Sequence, residues 1–359
     1  MDKERIHRTM ERALDQGVFP GAVLACTVQG QVRYCHGFGV ANLETQVPVT
    51  TRTIFDLASL TKPLATTLAL AELMKQRPEL LSTPLKELIP AFAGTDKAGI
   101  TVDMLLRHRS GYPAHEKYFL KVSQNPTPGA ALQKALVDQP LASSPGEKEV
   151  YSDLGFMVLA WVVETLAQTS LDLYVRERIF TPLGVDTLFF IPDADRAGVL
   201  NRYGHRMAAT QHCPWRKRLL VGEVDDENAW AVGGVAGHAG LFGDVTGVLI
   251  LCEEIRAALE NRTTRLVDPA ILQALARKKG EGDKVGGFDT PSSAHSSAGR
   301  HFSPQSVGHL GFTGTSFWID PADGIIVVLL TNRIHPTRSN ERLKSFRPKI
   351  HDLIHSELA

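Results

Sequence analysis

Strand-like sequence is confined to the two ends of this chain. Near the start, AVLACTVQ and QVRYCHGFGV are separated near Gly30 and read as two antiparallel strands joined by a tight turn. Strand patterns return only late, in VGHLGF, SFWID and IIVVLLT, where Asp323-Gly324 is a strong hairpin signal. Helical patterns flank both ends: Ile6, Met10 and Leu14 are spaced by four within 2–16, and ERLKSFRPKIHDLIHSEL closes the sequence. The long middle reads as helices linked by Pro- and Gly-containing loops, with ALQKALVDQ and DLGFMVLAWVVETLAQ the clearest. A sheet drawn from both ends forces the middle out as an insertion. The expected fold class is therefore α+β, an antiparallel sheet flanked by helices with an inserted, mainly helical domain. Residues 1–76 and 232–359 would form the sheet domain and 77–231 the helical one, with the active site in the cleft between them. The length, 359 residues, exceeds the roughly 250–300 at which one core stops growing. The Gly- and Ser-rich segment 280–303 reads as a long loop which, with 112–130, bears on pocket shape.

Charge narrows the function classes. Lys+Arg and Asp+Glu both total 39, so no electrostatic bias favours nucleic acid or an anionic membrane. The N-terminal MDKERIHRTMERALDQG lacks the apolar core of a signal peptide, and no apolar run is long enough to span a bilayer. The expectation is a cytoplasmic protein acting on a small ester, amide or peptide. Cys26, Cys35, Cys213 and Cys252 form no CxxC pair and read as reduced, mostly buried thiols.

The chemistry begins at Ser59-Leu60-Thr61-Lys62. On a helix, residues three apart face the same way, so the lysine can serve as base to the serine hydroxyl if burial or nearby positive charge lowers its pKa. Pro63 is tolerated only in a first helical turn, which puts Ser59 at a helix N-terminus, where backbone N–H groups suit an oxyanion. A dense apolar run carries this helix to Gln76. Taken alone, Ser-x-x-Lys is as well explained by an N-cap serine and a solvated lysine. Tyr151-Ser152-Asp153 precedes a second helix, where Tyr151 can shuttle a proton to a leaving group while Ser152 or Asp153 caps the helix. His309-Leu310-Gly311 follows on a late strand, where Gly311 admits close backbone approach and the Phe312 N–H pairs with that of Ser59 as an oxyanion hole.

In this order the three motifs resemble those of the β-lactamase-related serine hydrolases: penicillin-binding proteins, class C β-lactamases and β-lactamase-fold esterases. The segments ITVDMLLRHRSGYP, PGEKEVYSDLGF, ERIFTPLGVDTLFF and GGVAGHAGLFGDVTGV strengthen the likeness, which spans nearly the whole chain. The resemblance implies a transpeptidase-like fold with Ser59 as acyl-accepting nucleophile, Lys62 as base, Tyr151 as proton carrier and His309 as the basic residue of the third motif. No cofactor or metal is implied. Three positions depart from the family pattern. Asp153 replaces the usual Asn and loses a donor. His309 replaces Lys, making the charge pH-dependent. Leu310 replaces the hydroxyl residue that holds a substrate carboxylate. These changes point first to an esterase-like acyl hydrolase, second to a D-amino-acid peptidase or carboxypeptidase, and third to a β-lactamase. A non-catalytic sensor of peptides or peptidoglycan fragments is the competing reading. His238 is a candidate for the cleft wall, and His108 for a structural role satisfying backbone groups. The acidic run Asp225-Asp226-Glu227, near His205 and His212, matches no metal-ligand spacing and reads as a polar loop beside the cleft.

Overall fold

A computed structural model describes residues 2–358. Helix α1 (Lys3–Asp15) leads into strands β1 (Gly21–Val28) and β2 (Gln31–Gly39). Gln29 and Gly30 both take positive φ, 50° and 78°, the backbone of a two-residue hairpin turn. The 280–303 segment is not the featureless loop expected. It contributes a short hairpin, β3 (Lys284–Val285) and β4 (Phe288–Asp289). β5 (Val307–Leu310), β6 (Ser316–Asp320) and β7 (Ile325–Thr331) follow. The seven strands lie in the order β2-β1-β7-β6-β5-β4-β3, all antiparallel. The N-terminal hairpin thus docks on the last strand of the chain, pairing Ala22 with Thr331 through to Val28 with Ile325.

Both faces of the sheet are buried, which is why IIVVLLT is apolar without alternation. Leu24, Cys26, Trp318, Val327 and Leu329 point to one face and pack on Ile6 and Met10 of α1 and on Phe346, Ile350 and Ile354 of the C-terminal helix. Val23, Ala25, Phe317, Ile326 and Val328 point to the other, against Val248, Leu251 and Ile255. The latter sit on the helix Val245–Leu259. That second cluster continues into the helices of the middle segment, including Leu154 to Val163. These last residues belong to the helix Asp153–Ala167. The middle also carries strand structure that its sequence did not announce, since Leu188–Phe190 joins a small sheet with Leu241–Gly243 and Phe55–Asp56. All four cysteines are free, and three are buried. Among the described residues no single helix is long and apolar enough to cross a membrane.

Gly308 shows how tightly β5 lies against β6: a Cβ there would sit 2.4 Å from Trp318 and 2.5 Å from the Phe317 carbonyl, whereas one on Gly129 would meet nothing within 4 Å. Gly308→Ala is therefore expected to cost about 1–3 kcal/mol by overpacking. Gly129→Ala, in an exposed helix, is expected to stabilise by roughly 0.5–1 kcal/mol. Urea denaturation of both variants checks the opposed signs.

Candidate active site

The segment expected to be one helix from Ser59 to Gln76 winds three ways. A 3-10 turn spans Ala58–Leu60, a π-helical stretch Lys62–Thr67 and an α-helix Leu68–Met74. Pro63 supplies no N–H to the α ladder, and wide π turns of this kind recur at functional sites. Ser59 sits in the first turn, where N–H groups lack intrahelical partners. Ala58 before it has a φ of +48°, a left-handed conformation that alanine holds only under constraint. The constraint is visible. The Ala58 N–H donates to Asp56 Oδ1 at 2.8 Å, Thr313 Oγ1 donates to the Asp56 carbonyl at 2.7 Å and Thr315 Oγ1 to the Leu57 carbonyl at 3.0 Å. The threonines after the third motif therefore hold the turn that carries Ser59. A Cβ on Gly311 would meet Thr315 Oγ1 at 2.0 Å and the Leu57 carbonyl at 2.6 Å, so this glycine is what lets β5 close on that turn. Phe312 follows directly, half exposed at the cleft mouth.

Lys62 is wholly buried. Its Nζ donates to Ser59 Oγ at 3.1 Å, to Asp153 Oδ1 at 2.7 Å and to the His238 carbonyl at 3.3 Å, and lies 4.8 Å from the centre of the Tyr151 ring. Burial alone would depress its pKa, as the sequence reading required. The Asp153 carboxylate and the Tyr151 phenol outweigh burial and raise it. Lys62 is thus an ammonium in the resting site, and the departure from Asn at position 153 is the reason. Burial pushes Asp153 up, but Lys62 and a hydrogen bond from His115 hold it far below the carboxylate range. Burial raises Tyr151, opposed by Lys62.

Ser152 caps the helix that follows, its Oγ accepting from the Gly155 N–H at 3.3 Å. His108 accepts the Ser152 N–H at 2.9 Å, the backbone-satisfying role expected of it, and its ring lies tilted against that of Tyr151 with centres 4.6 Å apart. His309 differs from expectation. Its Nδ1 donates to the Leu310 carbonyl at 2.9 Å, and burial lowers its pKa to about 4, against the pull of Asp289. It is neutral at neutral pH and does not supply the cation of a third motif.

A cation does reach the cleft from elsewhere. Lys284, on the hairpin that sequence patterning left as loop, pairs with Asp289 at 2.6 Å and lies 5.6 Å from the Tyr151 ring centre. The hairpin can lie this close because Gly287 faces Thr67, where a Cβ would sit 2.0 Å from the hydroxyl. Ser59, Tyr151, Asp153, Lys284, His309 and Phe312 line one cleft of roughly 530 Å³. One wall carries Asp225, Asp226, Glu227 and His238, with His238 Nε2 at 2.9 Å from Asp226. His205 and His212 do not join it; His212 pairs at the surface with Glu44. The lining also carries Arg333, Arg338 and Arg347. Arg338 is paired with Asp225 at 2.8 Å and Glu227 at 2.9 Å. Arg333 and Arg347 are 7% and 5% exposed, and among the described residues neither has a carboxylate partner. Arg333 donates to the Phe312 carbonyl at 2.7 Å, Arg347 only to the Thr315 carbonyl at 3.5 Å, and the Arg347 Nε has no partner. Nothing in spacing or composition marks these two arginines or Lys284; only their arrival in one cleft does.

A family model described as Beta-lactamase matches residues 6–349. The chain belongs to the β-lactamase family. It is 31% identical over 375 residues to a "Putative D-alanyl-D-alanine carboxypeptidase" of Escherichia coli K12, covering 92% of this chain and 83% of that one. The fold matches that of the octameric penicillin-binding protein homologue from Pyrococcus abyssi, with a TM-score of 0.77, 19% identity and coverage of 99% and 78%. It also matches EstCE1, a hydrolase with promiscuous acyltransferase activity, with a TM-score of 0.73, 23% identity and coverage of 97% and 98%. The transpeptidase-like fold and the serine hydrolase family expected from the motifs both stand.

Neutral His309 has a consequence for stability. Its folded pKa, about 4, lies below the 6.5 of the free side chain, so the unfolded chain takes up a proton first on acidification. The stability it contributes is full above pH 6.5 and is lost as the pH falls towards 4. The expected slope from this histidine approaches about 1.4 kcal/mol per pH unit. Urea unfolding between pH 7 and 4 measures it, and His309→Gln should flatten the curve by that amount.

Proposed function

We propose that this protein is a serine acyl hydrolase that works through a covalent acyl-enzyme on Ser59. The observation that carries the reading is the 3.1 Å contact between Lys62 Nζ and Ser59 Oγ in a cleft. Lys62 first gives up its extra proton to solvent, at an energetic cost set by Asp153, and then accepts the proton of Ser59 as Oγ attacks the acyl carbon. The Ser59 and Phe312 N–H groups take the oxyanion. Tyr151, beside Lys62, hands its phenolic proton to the leaving group and takes in exchange the proton that Lys62 received from Ser59. Water then cleaves the acyl-enzyme by the reverse relay.

Two variants test this account. Ser59→Ala should lose on the order of 10³–10⁶ in kcat for p-nitrophenyl esters and form no fluorophosphonate adduct by intact mass. Asp153→Asn removes the group that keeps Lys62 charged, so burial would then dominate and lower its pKa. The ascending limb of the kcat/KM profile should move to lower pH by at least about one unit. An unmoved limb would show that Lys62 is not the base.

A second reading concerns the acyl donor. Arg333 and Arg347 line the cleft and have no carboxylate partner among the described residues, and they favour a substrate with a carboxylate. This restores, by other residues, what Leu310 removes, and it supports a D-amino-acid carboxypeptidase, the activity in the relative's description. Losing a charged hydrogen bond costs roughly 1.5–3 kcal/mol. Arg347→Leu should therefore raise KM for an acyl-D-Ala-D-Ala peptide by about 10- to 100-fold and leave that for p-nitrophenyl acetate unchanged. Equal effects on both substrates would leave the neutral-ester reading in place.

A further inference from the structure

We propose that Asp320, Asp323 and His355 form a binding site for a divalent transition-metal ion at the end of the sheet remote from the cleft. β6 begins at Ser316, beside the threonines that grip the nucleophile's turn, and ends at Asp320, on the order of 13 Å further on. Asp323 lies in the turn after it. His355 comes from the last turn of the C-terminal helix, Arg342–Leu358. The three donor atoms all lie within 4.8 Å of one another.

The observation that points to a ligand is His355. It is 7% exposed, and among the described residues its Nε2 has no hydrogen-bond partner. That nitrogen lies 4.0 Å from Asp320 Oδ2 and 3.7 Å from Asp323 Oδ2. Both distances are too long for hydrogen bonds, and a buried imidazole nitrogen left without a partner needs a cause. An ion bound at about 2.0–2.2 Å to nitrogen and oxygen spans gaps of this size. The ring is already oriented, packed edge-on against Phe302 with centres 5.3 Å apart.

The carboxylates can accommodate the ion. Asp320 is fully buried. Its Oδ1 accepts from Ser303 Oγ at 2.7 Å and from the Ala322 N–H at 2.9 Å, while Oδ2 accepts only the Ser303 N–H at 2.7 Å. Each carboxylate oxygen has about two acceptor sites, so Oδ2 keeps one, and it faces His355. The Asp323 side chain is 54% exposed, free to close on the ion and to let it in. One imidazole and two carboxylates leave a coordination position for water, a set that suits zinc. The ion would tie the last turn of the C-terminal helix to the β6–β7 turn, and the first half of that helix carries Arg347 into the cleft.

The test uses the full chain, stripped with EDTA and titrated with zinc chloride by calorimetry, with melting temperature followed in parallel. The expected result is one zinc per chain and a melting temperature that rises with zinc. Asp323→Ala should weaken binding at least tenfold and abolish the thermal shift, with p-nitrophenyl ester turnover unchanged. His355→Gln should do the same to binding. The proposal is overturned if the unmodified chain binds no zinc, if Asp323→Ala binds as tightly, or if His355→Gln folds and keeps full affinity. Should His355→Gln not fold, Asp323→Ala alone decides, since that side chain is exposed and its removal leaves no buried gap.

Discussion

The candidate site is organised around one buried ammonium. Lys62 has no access to water, and a buried charge is tolerated only when paired and hydrogen-bonded. Its three acceptors come from three parts of the chain: the turn at Ser59, the start of the helix at Asp153 and the glycine-rich loop at His238. Satisfying this one group draws the sheet layer, the inserted helices and the loop between them to a common point, and that point is the floor of the cleft. Ser59 inherits its position from the same convergence, since it is itself one of the acceptors.

The same pairing has a chemical cost. Asp153 meets the need of Lys62 for a counter-charge so well that the lysine stays protonated and donates to Ser59. On the proposed mechanism that proton must be moved before Lys62 can act as a base. The cleft lining carries charges of both signs, and Arg338 pairs with Asp225 and Glu227 within it. Arg347 is fully enough buried that desolvation lowers its pKa, and neither it nor Arg333 has a carboxylate partner among the described residues. Substrate charge is the natural complement of that arrangement.

Local patterns are legible where the information is local. The spacing of Ile6 and Met10 placed the first helix, the period-2 and continuous apolar runs placed β1, β2, β5, β6 and β7, and Pro63 marked the helix start at Ser59. The strand at Leu188–Phe190 escaped notice because three residues carry no period. The β3–β4 hairpin escaped because its Gly-rich composition is that of a loop, and only pairing of Asp289 with Gly308 makes it part of the sheet. Lys284 was hidden with it.

The sequence by itself determined the order of the motifs and the α+β class, and it singled out Ser59, Lys62 and Tyr151 as the candidate reacting set, because a helical turn and a motif spacing are properties of neighbours along the chain. Tertiary structure decided the charge state of that set. Whether Lys62 is an amine or an ammonium depends on a carboxylate 91 residues away, and whether His309 carries charge depends on how deeply β5 is covered. Electrostatic energy is set by distance and by exclusion of water, and neither is written in spacing along the chain.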